Sequence, residues 1–232
     1  MVSSAREAAT GRREQRRLQH HDLSRSQLLA AAEEVFGRKG FHDTTLKEVA
    51  DLAEFSVGSV YSFFASKDDL FQAIFARRGE EFMAEMRAVL TDDGVGPLRQ
   101  LHALVDFQVG WFRRHARFAR LYLRYSSAAM LSADREADAV IADNYAESMR
   151  LQAELLARGQ ATGAFRTGDP EVLARLFSGI VSAYQALDPA VVDDSPRGER
   201  LPLAQLHELV EHAFAPAPTG RTGTRAGRRG RR

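Results

Sequence analysis

Cysteine is absent from this 232-residue chain. That excludes a disulfide scaffold, a thiolate nucleophile and cysteine-ligated zinc, and suits a reducing compartment. No apolar run approaches the roughly 18 residues that a membrane span requires. The arginines near the N-terminus precede no apolar segment of the kind a secretory signal carries, so a cytoplasmic protein is expected. Sustained alternation of apolar and polar residues is also missing, and with it any sign of a sheet.

Motifs for catalysis are equally scarce. No Gly-rich phosphate loop and no G-x-S-x-G occurs. His207-Glu208 looks like the opening of a zinc motif, but the next histidine is His212. Five helical steps place those two imidazoles about 140° apart, not on the single face an i,i+4 pair supplies. The other histidines (His20, His21, His42, His102 and His115) are scattered. No metal, no cofactor and no enzymatic reaction is expected.

The net charge of +1 is unevenly spread. Residues 1–22 hold five arginines against three acids, residues 215–232 hold six arginines and no acid, and the body between carries −7. An acidic body with basic ends does not by itself point to DNA. Both ends read as disordered: a basic arm over 1–22, and a Pro/Ala spacer with a Gly/Arg tail over 215–232. The tail either adds phosphate contacts, each steepening the salt dependence by up to about 0.9, or is merely solvated.

The remaining residues are punctuated helix by helix. Ser24 with Gln27 opens a first helix that presents Leu28, Ala31, Ala32, Val35 and Phe36 on one face and stops at Gly40. Thr45-x-x-Glu48 opens a short second helix, Ser56 caps a third over 57–63, and Ser66-x-x-Asp69 opens a long fourth to about Leu90. Helices over roughly 97–114, 116–131, 134–160, 169–187 and 201–214 complete an all-α chain. The spacing predicts an N-terminal helix-turn-helix unit over 23–70, joined by helix 66–90 to a helical bundle over 71–214.

In the N-terminal unit, Val60 and Phe64 lie one turn apart and face inward with Val49 and Ala53. Gly58, Ser59 and Ser62 are small and polar on the opposite side, so the third helix can sit deep in a major groove about 12 Å wide. Thr45 at one helix N-terminus, and Ser66 with Lys67 at another, place N–H groups, hydroxyls and an ammonium where phosphates dock.

The string TTLKEVADLAEFSVGSVYSFFASKDDL, residues 44–70, resembles the TetR family of transcriptional regulators. The matching positions are Thr45, Val49-Ala50, Ala53, Ser56, Gly58, Val60-Tyr61, Phe64, Lys67 and Leu70, after Gly40-Phe41. The resemblance implies that Thr45, Tyr61 and Lys67 hold the DNA backbone while Val57, Gly58, Ser59 and Phe63 meet the bases. Lys47 is a further candidate phosphate contact. One departure is Glu54, where the family usually places glycine in the turn; a left-handed residue other than glycine costs on the order of 1 kcal/mol. The third helix also lacks Arg, Lys, Asn and Gln, the usual bidentate readers. Apolar contacts of Val57 with thymine methyls, and DNA shape, are therefore expected to carry specificity.

The resemblance further implies an effector domain in the bundle and a small-molecule inducer. Phe107, Trp111, Phe118, Tyr122, Tyr125, Tyr145, Met149 and Gln152 are the candidate pocket residues, and aromatic walls suit an apolar or aromatic ligand. Helix 169–187 has a wide apolar face, and Gly179 and Ala183 permit close helix approach. Together with helix 201–214 it offers more apolar surface than one thin pair covers. Either the bundle closes on this face or a homodimer seam covers it, through Leu176, Gly179, Ile180, Ala183, Leu206 and Val210; two-fold readers of palindromic duplex DNA favour the seam.

Overall fold

The computed structural model describes residues 2–91, 94–129, 136–192 and 202–216, and no strand occurs among them. Among the described residues ten helices follow one another: α1 (Val2–Lys39), α2 (Leu46–Ala53), α3 (Val57–Phe63), α4 (Lys67–Leu90), α5 (Pro97–Arg114), α6 (Ala116–Ala129), α7 (Glu136–Ala161), α8 (Pro170–Leu187), α9 (Pro189–Val192) and α10 (Leu203–Phe214). The all-α architecture and the helix-turn-helix followed by a bundle are as expected.

The first helix departs most from the sequence reading. It starts at Val2 rather than Ser24, so the stretch expected to be a disordered arm is helical. Between Val2 and Asp22 there is no proline and most residues are good helix formers, so the helix propagates through Ser24 without a cap. Ser24 is buried instead, its hydroxyl 3.5 Å from His20 Nδ1. Gly40 does end the helix as expected, with φ +86 and its N–H on the Phe36 carbonyl. The expected Arg-rich tail, beyond residue 216, lies outside the described residues.

Pro97 at the start of α5 and Asp169 capping α8 set the beginnings of two bundle helices. Helix α5 is the central pillar: Leu101, Leu104, Val105, Phe107, Val109, Trp111 and Phe112 are all buried, as expected of a helix apolar round most of its circumference. It touches α4, α6, α7, α8, α9 and α10. Arg113, on its polar strip, reaches across to the fully buried Asp188 (2.6 Å) and to the Tyr184 hydroxyl (3.1 Å). This pair ties α5 to the junction of α8 and α9, a turn of helix that the sequence reading did not contain.

Helix α8 splits its apolar residues between two sides. Leu173, Ala174, Phe177 and Val181 are buried within the bundle, while Val172, Leu176 and Leu187 are exposed. Gly179 and Ala183 lie on that exposed side and Ile180 at its margin. Helix α10 corrects the expectation: Leu206 and Val210 are buried inside the protomer with Phe214, whose ring meets Phe177 at 5.9 Å. They cannot also face a seam. On a 12-residue helix the register is ambiguous from spacing alone, and the outward apolar residue is Leu209.

The N-terminal unit sits on the bundle through α1 against α4 and α6. At Gly37 the approach to α6 is so close that a Cβ would lie 2.7 Å from the Arg117 carbonyl oxygen. Backbone cannot yield as a side-chain tip can. Gly37→Ala is therefore expected to destabilise the protein by about 1–3 kcal/mol, lowering Tm by roughly 2–4 °C per kcal/mol. Gly110→Ala, whose Cβ would make only ordinary contact, is expected to be neutral or stabilising; calorimetry on both variants makes the comparison.

Candidate nucleic-acid interface

Local hydrogen bonds build the helix-turn-helix piece by piece. Thr45 caps α2 by accepting the Glu48 N–H, and the Glu48 carboxylate accepts from the Thr45 N–H (3.0 Å) and hydroxyl (3.1 Å). Lys39 at the end of α1 pairs with the same carboxylate. The Lys39 ammonium and the Thr45 N–H hold Glu48 at about 2, below the usual carboxylate range. The ammonium of Lys47 lies 2.6 Å from Asp51 one turn on, and the hydrogen bond to that carboxylate raises the Lys47 pKa.

Glu54 then takes the left-handed conformation, φ 60 and ψ 36, the one positive φ outside glycine among the described residues. Its N–H reaches the Ala50 and Asp51 carbonyls, and the Phe55 N–H also bonds Ala50 (2.9 Å). The turn geometry that glycine usually supplies is thus kept, and Phe55 packs on the core. Ser56 caps α3 by accepting the Ser59 N–H at 3.0 Å.

Helix α3 is anchored by Val60, fully buried, with Phe64 buried just beyond its end. Val57 (36% exposed), Gly58, Tyr61 (56% exposed) and Ser62 form the outer side, with Ser59 and Phe63 partly covered at its edges. The hydroxyls of Ser59 and Ser62 are engaged locally, with Ser56 Oγ (2.8 Å) and the Ser59 carbonyl (2.6 Å). A Cβ on Gly58 would meet only Ser56 Oγ at 3.8 Å. Nothing inside the protein requires glycine there, so what its bareness provides is a flat outer surface.

Lys67 is placed differently from a free phosphate ligand. Its ammonium donates to the carbonyls of Phe41 (2.8 Å), Thr44 (3.0 Å) and His42 (3.4 Å) and sits 4.4 Å from the centre of the Phe41 ring. In this structure it clamps the loop between α1 and α2, and so sets the N-terminus of α2. Sequence spacing missed the contacts that brace α3 from behind. His21 lies 4.7 Å from the Phe63 ring and the Arg25 guanidinium 5.1 Å from Phe64. Contacts across some forty residues leave no periodic trace.

The bundle holds a cavity of about 80 Å³. Of the expected pocket residues, Trp111, Phe118, Tyr122, Tyr145 and Gln152 line it. Phe107 packs against Phe82 (5.0 Å, rings tilted) instead, Tyr125 packs on Phe71 (4.7 Å), and Met149 faces a separate surface groove between α7 and α8. Residues the sequence reading passed over complete the lining, among them Phe75, Arg78, Phe82, Gln108 and Phe112. Burial pushes the Tyr122 phenol up to about 12, with Tyr145 adding to the shift. Arg78 is the most informative addition. Its Nε and Nη2 grip the two oxygens of Glu33 on α1 (2.8 and 3.0 Å), and Nη1 donates to Glu81 (2.6 Å). One side chain thus borders the cavity and holds the N-terminal unit.

Residues 28–74 match the family model described as bacterial regulatory proteins, tetR family. Over 56 residues the chain is 43% identical to the uncharacterized HTH-type transcriptional regulator YfiR of Bacillus subtilis (strain 168), covering 24% of this chain and 27% of that one. Over 150 residues it is 27% identical to the HTH-type transcriptional repressor NicS of Pseudomonas putida, covering 65% of this chain and 69% of that one. The solved structure of AibR in complex with isovaleryl coenzyme A and operator DNA superposes with a TM-score of 0.66 at 20% identity, over 82% of this chain and 97% of that one. That last likeness shows the fold.

Because Glu54 alone departs from glycine in the turn, Glu54→Gly is expected to stabilise the protein by up to about 1 kcal/mol. Denaturant unfolding checks it; a loss of stability would show that the Glu54 side chain is needed in the turn.

Proposed function

The chain belongs, through residues 28–74, to the tetR family of bacterial regulatory proteins, and on that premise we propose that it is a homodimeric, sequence-specific transcriptional repressor, released from a palindromic operator by a small molecule. The observation that carries this reading is α3. Val60 and Phe64 bolt it to the unit while Val57, Gly58, Tyr61 and Ser62 stand on its outer side. A bare helix surface of this kind suits close approach to base edges. Tyr61 and the α2 N-terminus at Thr45 supply backbone contacts, and Lys47 adds charge by exchanging Asp51 for a phosphate. Lys67 acts by holding the loop that presents Thr45. With no bidentate reader on α3, Val57 meets thymine methyls and DNA shape supplies much of the specificity.

The exposed apolar side of α8 supports a two-fold assembly. Leu176, Gly179, Ile180 and Ala183, with Val172 and Leu187 alongside, form the seam. Two α3 helices then enter successive major grooves, about 34 Å apart. NicS is named a repressor and AibR was solved with both operator DNA and a small molecule, which supports the repressor and effector parts of the reading. The effector site is the cavity behind Arg78. A ligand that displaces Arg78 loosens its grip on Glu33, and the ligand shifts the equilibrium only by its differential affinity for the two states.

Gel shift with the upstream DNA of the gene itself tests the interface. Tyr61→Ala is expected to abolish specific binding. Gly58→Leu is expected to weaken it at least tenfold while leaving Tm unchanged or higher, since a helical glycine is replaced by a better helix former. A fully active Gly58→Leu, or a dominant guanine contact mapped to residues 57–59 in a base-substitution scan, contradicts the reading. The seam has its own check: Leu176→Arg is expected to convert dimer to monomer in sedimentation, and a wild-type monomer at micromolar concentration would refute it.

A further inference from the structure

Three residues that line the cavity each hold a buried polar atom without a hydrogen-bond partner among the described residues: Trp111 Nε1, Gln108 Nε2 and Gln152 Oε1. The residues are 0%, 7% and 2% exposed. Buried polar atoms are nearly always satisfied, and each exception calls for an account. Two are donors and one is an acceptor. The amide of Gln152 is oriented by its other end, where Nε2 donates to Ser148 Oγ at 2.9 Å.

The formal charge on the wall is already spent. Arg78 lines the cavity, but each of its three nitrogens donates to Glu33 or Glu81. An incoming anion would have to compete with two carboxylates that sit beside the same guanidinium. The remaining walls include Phe118 and the neutral phenol of Tyr122. The cavity is small, about 80 Å³, whereas an engineered apolar cavity of about 150 Å³ binds benzene. A ligand of one ring is therefore the upper limit of size, and it enters as the walls move outward.

Resting on the effector reading above, we propose that the site takes a neutral ring compound that carries both a hydrogen-bond acceptor and a donor. The acceptor meets Trp111 Nε1 and Gln108 Nε2, and the donor meets Gln152 Oε1. The ring lies against Phe118 and Tyr122. Carboxylate ligands are disfavoured because Arg78 is held by its own acids.

Tryptophan occurs once in the chain, so a ¹⁵N-labelled sample gives a single indole N–H resonance that reports Trp111 directly. Phenol, benzene and benzoate serve as probes of one ring with three polar characters. Phenol is expected to shift the indole resonance saturably and to bind at least tenfold more tightly than either benzene or benzoate. In Gln152→Leu the advantage of phenol over benzene is expected to fall at least threefold, and Gln108→Leu provides the same test from the donor side should Gln152→Leu not fold. Benzoate binding as tightly as phenol, or an indole resonance unmoved by phenol, overturns the proposal. Operator gel shift with the same samples separates the two readings. Saturable, phenol-selective binding with no DNA affinity leaves this inference standing and removes the repressor; DNA binding with no phenol response does the reverse.

Discussion

A carboxylate sits where water barely reaches: Glu33, on the inner side of α1, is 5% exposed. Such a charge is tolerated only when it is paired and hydrogen-bonded. Arg78 grips both of its oxygens, and Arg77 adds a third contact at 3.3 Å. Removing either partner from a pair of this kind costs on the order of 3–5 kcal/mol, because the other is left buried and uncompensated. The two arginines stand on α4, which also packs against α5 and α7 of the bundle. The orientation of the N-terminal unit on the bundle is therefore an electrostatic matter as much as an apolar one.

The apolar part runs along the same helix. Phe36 on α1 meets Phe71 on α4 edge-on at 5.6 Å, Phe71 meets Phe75 at 4.8 Å, and Phe75 meets Phe118 on α6 at 5.2 Å. Phe118 in turn meets Trp111 at 5.7 Å. Close-packed aromatics of this kind transmit displacement because they cannot compress. Phe75, Phe118 and Trp111 border the cavity, while Phe36 lies on α1, the helix against which α2 packs. An unbroken line of rings, and one arginine, thus runs from the cavity to the N-terminal unit that holds α3.

Much of this was legible from residues alone, and for local reasons. Capping boxes, a left-handed Glu54 and a Gly40 stop are each decided within four or five residues, so the bounds of α2, α3 and α4 follow from chemistry close at hand. The buried anchors Val60 and Phe64 follow from one turn of spacing. What escaped was decided at a distance. The Glu33–Arg78 grip joins residues 45 apart. The Lys67 clamp joins residues 23 to 26 apart, and there a side chain read as a phosphate ligand turned inward to backbone carbonyls. Leu206 and Val210 went wrong because a short amphipathic helix shows an apolar stripe without showing which neighbour covers it. The helical start of α1 escaped because capping residues mark a beginning only where no helix already arrives.

Glu33 and Arg78 together hold the N-terminal unit, and with it the direction in which α3 points. The absence of native cysteine lets Ser62→Cys carry a single spin label on the outer side of α3, and so two in the proposed homodimer. Electron–electron resonance distances should then form one narrow distribution compatible with the groove repeat of about 34 Å. Adding Glu33→Gln should broaden or shift it while the helix content stays the same. An equally narrow, unmoved distribution in Glu33→Gln would contradict the account.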